Sequence, residues 1–201
     1  MKSWFYVTSS ILIFISYSCG NRVQVSDGIY EIVLTDADKV YLPKTSSQLD
    51  DPTYMSLVNS LIEEKTNLIS SDQYFLDIVK AIAWTESKWR HYYEQDGRYY
   101  VFMGDNGHAF GIMQINDLYH DQFPVLQDNI EYGINFAYEK YQNALSYNCP
   151  TGSNSGTDLI HIARRTYAQY NGGDDDICRD NDPRDNNLQD ALSNTIWSIY
   201  F

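Results

Sequence analysis

The sequence predicts a mainly α domain of the α+β class, on three observations. Apolar residues recur at helical spacing in five separate stretches. One strong two-residue hairpin signal, Asp96-Gly97, stands between two aromatic runs. The 201 residues, 43% hydrophobic and 15% aromatic, suffice for one packed core and are too few for two ordinary domains.

The chain opens with "MKSWFYVTSSILIFISYSCG", in which the apolar run Ile11 to Ile15 follows a single Lys and precedes small residues. That run is too short to cross a bilayer, so residues 1–18 read as a signal peptide, with an uncleaved signal anchor as the alternative. "SYSC" before Gly20 resembles a bacterial lipobox, although Tyr17 departs from the pattern. The resemblance implies export to the cell envelope or periplasm, with Cys19 lipidated and a membrane as partner. With Cys19 so used, Cys149 and Cys178 remain as a pair that an exported protein can hold as a disulfide, free buried thiols being the alternative. Residues 19–50 read as a tether or lead segment in which "GIYEIVLTDADKVYLP" could form a small hairpin, and the domain proper is expected over 51–201.

Asp51 and Pro52 look like an N-cap and first helical residue, and Tyr54, Leu57, Val58, Leu61 and Ile62 follow at helical spacing, predicting a helix over about 52–66. Ser71 or Asp72 can cap a second helix whose buried stripe is Phe75, Ile78, Val79, Ile82 and Ala83. "RHYYEQDGRYYVFM" then predicts the β-hairpin. A helix over about 128–146 shows Ile130, Ile134, Ala137 and Tyr141 on one side, and another over about 157–170 shows Leu159, Ile162, Ala163 and Tyr167 before a Gly172 stop. Leu188, Leu192, Ile196 and Ile199 predict a final helix that packs back on the domain.

Glu86 stands out against this pattern. It lies eleven residues after Phe75, seven after Val79 and four after Ile82, offsets that return within about 40° at 100° per residue, so it shares the buried face. Desolvation raises a carboxyl pKa and lets it keep a proton near neutral pH, as a general acid for a poor leaving group requires. The flanking Trp84 and Trp89 are expected to keep it dry. The structural alternative is a glutamate hydrogen-bonded inside or paired with Arg90 at i+4.

Four motifs extend the pattern: Glu86-Ser87, "GIMQIN" over 111–116, "DNIEYGINFAYEKY", and "AQYNGG" over 168–173. In this order they resemble the lysozyme-like lytic transglycosylase superfamily over about residues 54–173. "GDNGHAFGIMQINDLYH" is similar to its goose-type lysozymes, which carry an Asp before a Gly-rich turn and an Asp-x-x-Tyr-His-like ending. The resemblance implies a lysozyme-like helical fold with the hairpin beside a cleft, and cleavage of the MurNAc-GlcNAc β-1,4 bond of peptidoglycan with Glu86 as acid. It also implies Asp105 and Asp117 as second carboxylates, and no cofactor. Gln169 and Gly172 replace the two alanines of the family's Ala-Tyr-Asn-Ala-Gly pattern.

Chemistry suggests parts for the other motif residues. Gly111 would allow close backbone approach by a sugar chain, Met113 a soft apolar contact, and Gln114 hydrogen bonds to an N-acetyl group or hydroxyl. Ser87, Tyr170 and Asn171 complete the candidate substrate-binding set, with core packing the alternative for Tyr170. If either aspartate holds a water opposite Glu86, hydrolysis with inversion follows; if neither does, the sugar's 6-hydroxyl closes a 1,6-anhydro product, as the transglycosylase resemblance implies.

The formal net charge of −13 excludes nucleic acid as a partner. It also leads to the expectation that the chain favours glycan strands made cationic by deacetylation over anionic wall polymers, the alternative being that a lipid holds it so close to the wall that diffusional capture matters little. The acidic run "DDDICRDNDPRDNNLQD", 174–190, lacks the spacing and central Gly of an EF-hand and reads as a loop pinned by Cys178 rather than a metal site. A non-catalytic wall-binding or assembly lipoprotein of the same fold is the rival from another class.

Overall fold

Asp51 accepts a hydrogen bond from the Tyr54 N–H at 3.0 Å, and Pro52 fits the first helical turn, so α1 runs Pro52–Asn67 with Tyr54, Met55, Val58, Leu61 and Ile62 buried. Asp72 caps α2, Gln73–Ser87, in the same way through Tyr74. The computed structural model describes residues 22–25, 29–44 and 51–200, so the expectations for the signal segment and Cys19 lie outside the described residues. The chain is mainly helical with small antiparallel sheets, the α+β class expected.

The helix α2 ends abruptly. Lys88 and Trp89 both take left-handed backbone (φ 56° and 60°), which reverses the chain directly after Glu86 and Ser87. Trp89 is fully buried; its indole N–H donates to the Lys80 carbonyl at 3.1 Å, and its ring meets Trp84 edge-on and Trp197 in a stack. The two tryptophans around Glu86 therefore lock the end of the helix into the core.

The hairpin forms as read. Strands β3 (Tyr92–Gln95) and β4 (Arg98–Val101) pair across Asp96 and Gly97, both with positive φ. The sheet is larger than expected, however. Strands β1 (Arg22–Val25) and β2 (Ile29–Ile32) pair antiparallel, and β2 joins β4 at Glu31 opposite Tyr100, giving the order β1-β2-β4-β3. Tyr30, Ile32 and Leu34 are buried, and the Tyr30 ring stands edge-on to Phe110 at 5.5 Å. Reading 19–50 as a tether is thus corrected for this stretch: its period-two alternation is a strand's inward face.

Three two-residue strands, β5 (Met103–Gly104), β6 (Ala109–Phe110) and β7 (Ile115–Asn116), form a second sheet. Behind it α3, Leu126–Ser146, buries Ile130, Ile134, Ala137 and Tyr141 and packs most extensively on α4, Leu159–Gly172. Leu159, expected inside, is 53% exposed because it is the first residue after the Asp158 cap. Cys149 and Cys178 form a disulfide with Cα atoms 5.4 Å apart. The last helix, α5, spans Pro183–Asn194 and stops where Thr195 turns left-handed; Ile196–Tyr200 is a 3₁₀ turn instead of the continuation expected. No helix among the described residues is long and apolar enough to cross a membrane.

Candidate active site

Glu86 sits on the last turn of α2 and is half-buried, lining a cleft of about 650 Å³ together with Asp105, Gln114, Tyr170 and Asn171. Burial raises its carboxyl pKa above the usual range. Hydrogen bonds from Tyr167 and Asn171, and the charges of Arg184 and Arg179, oppose that rise. The Asn171 amide donates to Oε1 at 3.3 Å. Two buried tyrosines of α4, Tyr167 and Tyr170, interact electrostatically with the carboxyl. Arg90 does not act as the i+4 partner: it donates to the Ser87 carbonyl and stacks on the Phe102 ring, 3.9 Å from its centroid.

The strip from Phe110 to Met113 is buried just before the cleft residue Gln114, and residues of the other three motifs, with His91, meet on its backbone. Ser87 Oγ donates to the Ile112 carbonyl at 2.9 Å. His91 Nδ1 accepts from the Ile112 N–H at 3.0 Å while Nε2 faces the Pro124 carbonyl at 3.1 Å. Asn129 accepts from the Met113 N–H and donates to the Phe110 carbonyl, both at 2.9 Å. The Tyr170 hydroxyl donates to the Met113 carbonyl at 2.7 Å. Residues from α2, the following turn, α3 and α4 thus satisfy four consecutive residues that make little helix or sheet of their own.

This arrangement reassigns three residues expected to bind substrate. Ser87 is buried as a clip between α2 and the strip. Gly111 is buried with φ 65°, and a Cβ there would strike the His91 ring, so its bareness serves packing and not a sugar. Met113 is fully buried against Gly133 of α3, whose missing Cβ leaves room for it. Gln114, Tyr170 and Asn171 do line the cleft; Gln114 is held at φ 47° with its amide donating to the Gly111 carbonyl at 2.7 Å.

The two aspartates part company. Asp105 is exposed on the cleft wall at φ 46°, and the Asn116 amide donates to its Oδ2 at 2.8 Å. Asp117 is outside the lining: His108 Nδ1 lies 2.9 Å from one oxygen and the Gln122 amide donates to the other at 2.9 Å. Its neighbour Asn116 does line the cleft, so the expectation of a second carboxylate in the cleft is not met at Asp117. No family model, curated protein or solved structure matches this chain.

Sequence reasoning missed several lining residues. Lys140, on the buried face of α3, pairs with Asp174 and Glu139 and lies over the Phe136 ring. Arg184 reaches the cleft from α5, and Tyr119 stands 80% exposed at its rim. A lysine at a core position was the one available signal, as Glu86 was on α2. The carboxylates of 174–190 are mostly taken up by the chain itself, Asp182 by Arg184 and Asp185 by Arg179. Among the described residues no group of three or more His, Cys, Asp or Glu side chains is placed to hold a metal ion.

Proposed function

We propose that this chain is an exported, lipid-anchored peptidoglycan-cleaving enzyme of the lysozyme-like lytic transglycosylase superfamily. The observation that carries this reading is the convergence of three motifs on the 110–113 backbone, which runs into the fourth, with the desolvated Glu86 carboxyl in the cleft beside it. A carboxyl held partly dry keeps its proton, which it can give to a glycosidic oxygen. The C1–O bond then breaks, leaving an oxocarbenium-like sugar that is attacked by water or by the sugar's own 6-hydroxyl. When the 6-hydroxyl attacks, Glu86 takes its proton back and is regenerated; when water attacks from the opposite face, Asp105 takes that proton and Glu86 is reprotonated from solvent.

Asp105 is the only one of the two expected second carboxylates to share the cleft, and it supports the hydrolytic branch by offering an acceptor for a water. Export is supported by the Cys149–Cys178 disulfide, which persists in oxidising compartments. Mass spectrometry of the products released from purified peptidoglycan tests the whole reading, with Glu86→Gln and Asp105→Asn alongside. Reducing-end muropeptides lost in both variants establish hydrolysis, whereas anhydro-muropeptides lost only in Glu86→Gln establish a lytic transglycosylase. Release of nothing by the wild-type protein, with glycan binding intact, would turn the reading into that of a non-catalytic wall-binding lipoprotein.

A further inference from the structure

On the reading of Glu86 as the acid of the cleft, we propose that Arg179 is a positioning residue that fixes the Glu86 carboxyl through the ring of Tyr167. Tyr167 is 2% exposed, and its hydroxyl is hydrogen-bonded to Glu86. The Arg179 guanidinium lies over the ring, 5.9 Å from its centroid, within cation–π range. Tyr167 therefore stands in contact with both Glu86 in the cleft and Arg179 outside its lining.

Three features hold Arg179 in place. Its guanidinium grips Asp185, which is fully buried, through Nε and Nη2, with Asp176 and Asp182 each 3.7 Å away. Its neighbour Cys178 is bonded to Cys149, so the backbone there is anchored covalently. Gly172 is bare where a Cβ would strike the Asp176 carboxylate and come within 3.0 Å of Arg179 Nη1. The bare Gly172 thus makes the room that the Asp176 carboxylate beside Arg179 occupies.

Stability alone accounts poorly for this construction. A buried ion pair gives little net stabilisation over an apolar pair of the same volume, and here it leaves Nη1 buried with no hydrogen-bond partner. A fixed cation over the Tyr167 ring instead makes its hydroxyl a stronger donor to the carboxylate and favours the ionised form of that carboxylate. The other polar or charged groups that face Glu86 are Asn171 and Tyr170 on α4, Arg184 on α5, and Lys88 at the end of its own helix. Arg184 is tied to Asp182 at 2.7 Å, and Lys88 to the Trp84 carbonyl at 3.2 Å.

The test follows the Glu86 carboxyl directly by carbon-13 NMR against pH, its signal assigned by its loss in Glu86→Gln. Tyr167→Phe and Arg179→Met are each expected to raise the midpoint by about half a pH unit or more, because each removes a group favouring the carboxylate. Arg179→Met leaves Asp185 buried and unpaired and can unfold the protein. Arg179→Lys keeps a cation for Asp185 while losing the planar contact with Tyr167, and the same direction of shift is expected. Combined with Tyr167→Phe, it should add nothing further. An unmoved midpoint in the folded arginine variants, or an undiminished second shift in the double variant, overturns the proposal. The basic limb of peptidoglycan cleavage should move by the same amount as the midpoint. NMR shifts without any cleavage by the wild-type protein would mean that Glu86 is not an acid catalyst, leaving the Arg179–Tyr167 link standing.

Discussion

His91 is bound at both ring nitrogens by groups that dictate its state. The Ile112 N–H can only donate and the Pro124 carbonyl can only accept, so Nδ1 is bare and Nε2 carries the proton. Burial pushes its pKa down to about 3. The unfolded chain binds a proton near pH 6.5 and the folded one does not, so stability falls as pH falls between about 6.5 and 3, by at most about 1.4 kcal/mol per unit. Glu86 works the other way. Its raised pKa contributes stability below its unfolded value and loses it as pH rises through the folded one. In wild-type protein the two slopes partly cancel. Melting temperatures measured from pH 7 to pH 4.5 should therefore decline less in His91→Gln than in wild type, even though the variant starts lower; parallel curves would contradict a neutral buried His91. At this scale Glu86 was legible because a carboxylate on a buried helical face breaks the pattern. His91 was not, since one histidine after a helix carries no period, and Asn116 was passed over because Asp117 beside it offered the expected chemistry.

Among the elements, caps and helical spacing carried most of the fold. Asp51, Asp72 and Asp158 each cap the helix they precede, and the apolar rows of α1, α2 and α3 fall on their buried faces. Strand β2 was harder to see, because four residues hold too little pattern and its partner Tyr100 lies 69 positions beyond Glu31. The 110–113 strip was legible as a motif but not as a structure, since its hydrogen bonds come from four distant places. The disulfide links two such pieces: Cys149 follows α3, and Cys178 ends the 3₁₀ turn after α4. Opening a loop of this length should cost about 3–4 kcal/mol on the chain-entropy account. Urea denaturation of the Cys149→Ser, Cys178→Ser double variant checks this, a loss below about 1 kcal/mol counting against it. Because Arg179 adjoins Cys178, the same variant should also broaden the pH dependence of any cleavage.

The whole molecule carries a formal charge of −13, yet its cleft mixes signs: Glu86, Asp105 and Asp174 against Lys140 and Arg184. Lys140 is itself matched by Asp174 and Glu139, so the surface presented to an approaching glycan is negative on balance. Strands bearing free amines should be captured faster than acetylated ones at low salt, with the difference shrinking toward high salt as the field is screened. Comparing cleavage rates on acetylated and deacetylated peptidoglycan at both ionic strengths checks this; equal rates unaffected by salt would reject charge selection.

On the proposed lipid anchor at Cys19, the strand pairing of Arg22–Val25 changes how far the domain can work from a membrane. Had residues 19–50 been a free leash, a lipid on Cys19 would have allowed the domain roughly 110 Å of travel at full extension. With the sheet beginning at Arg22, only three peptide steps remain, about 10 Å of chain. On the proposed function, an enzyme anchored on so short a lead would work like a plane held flat to a board, trimming the strands nearest the bilayer and leaving the outer wall to others.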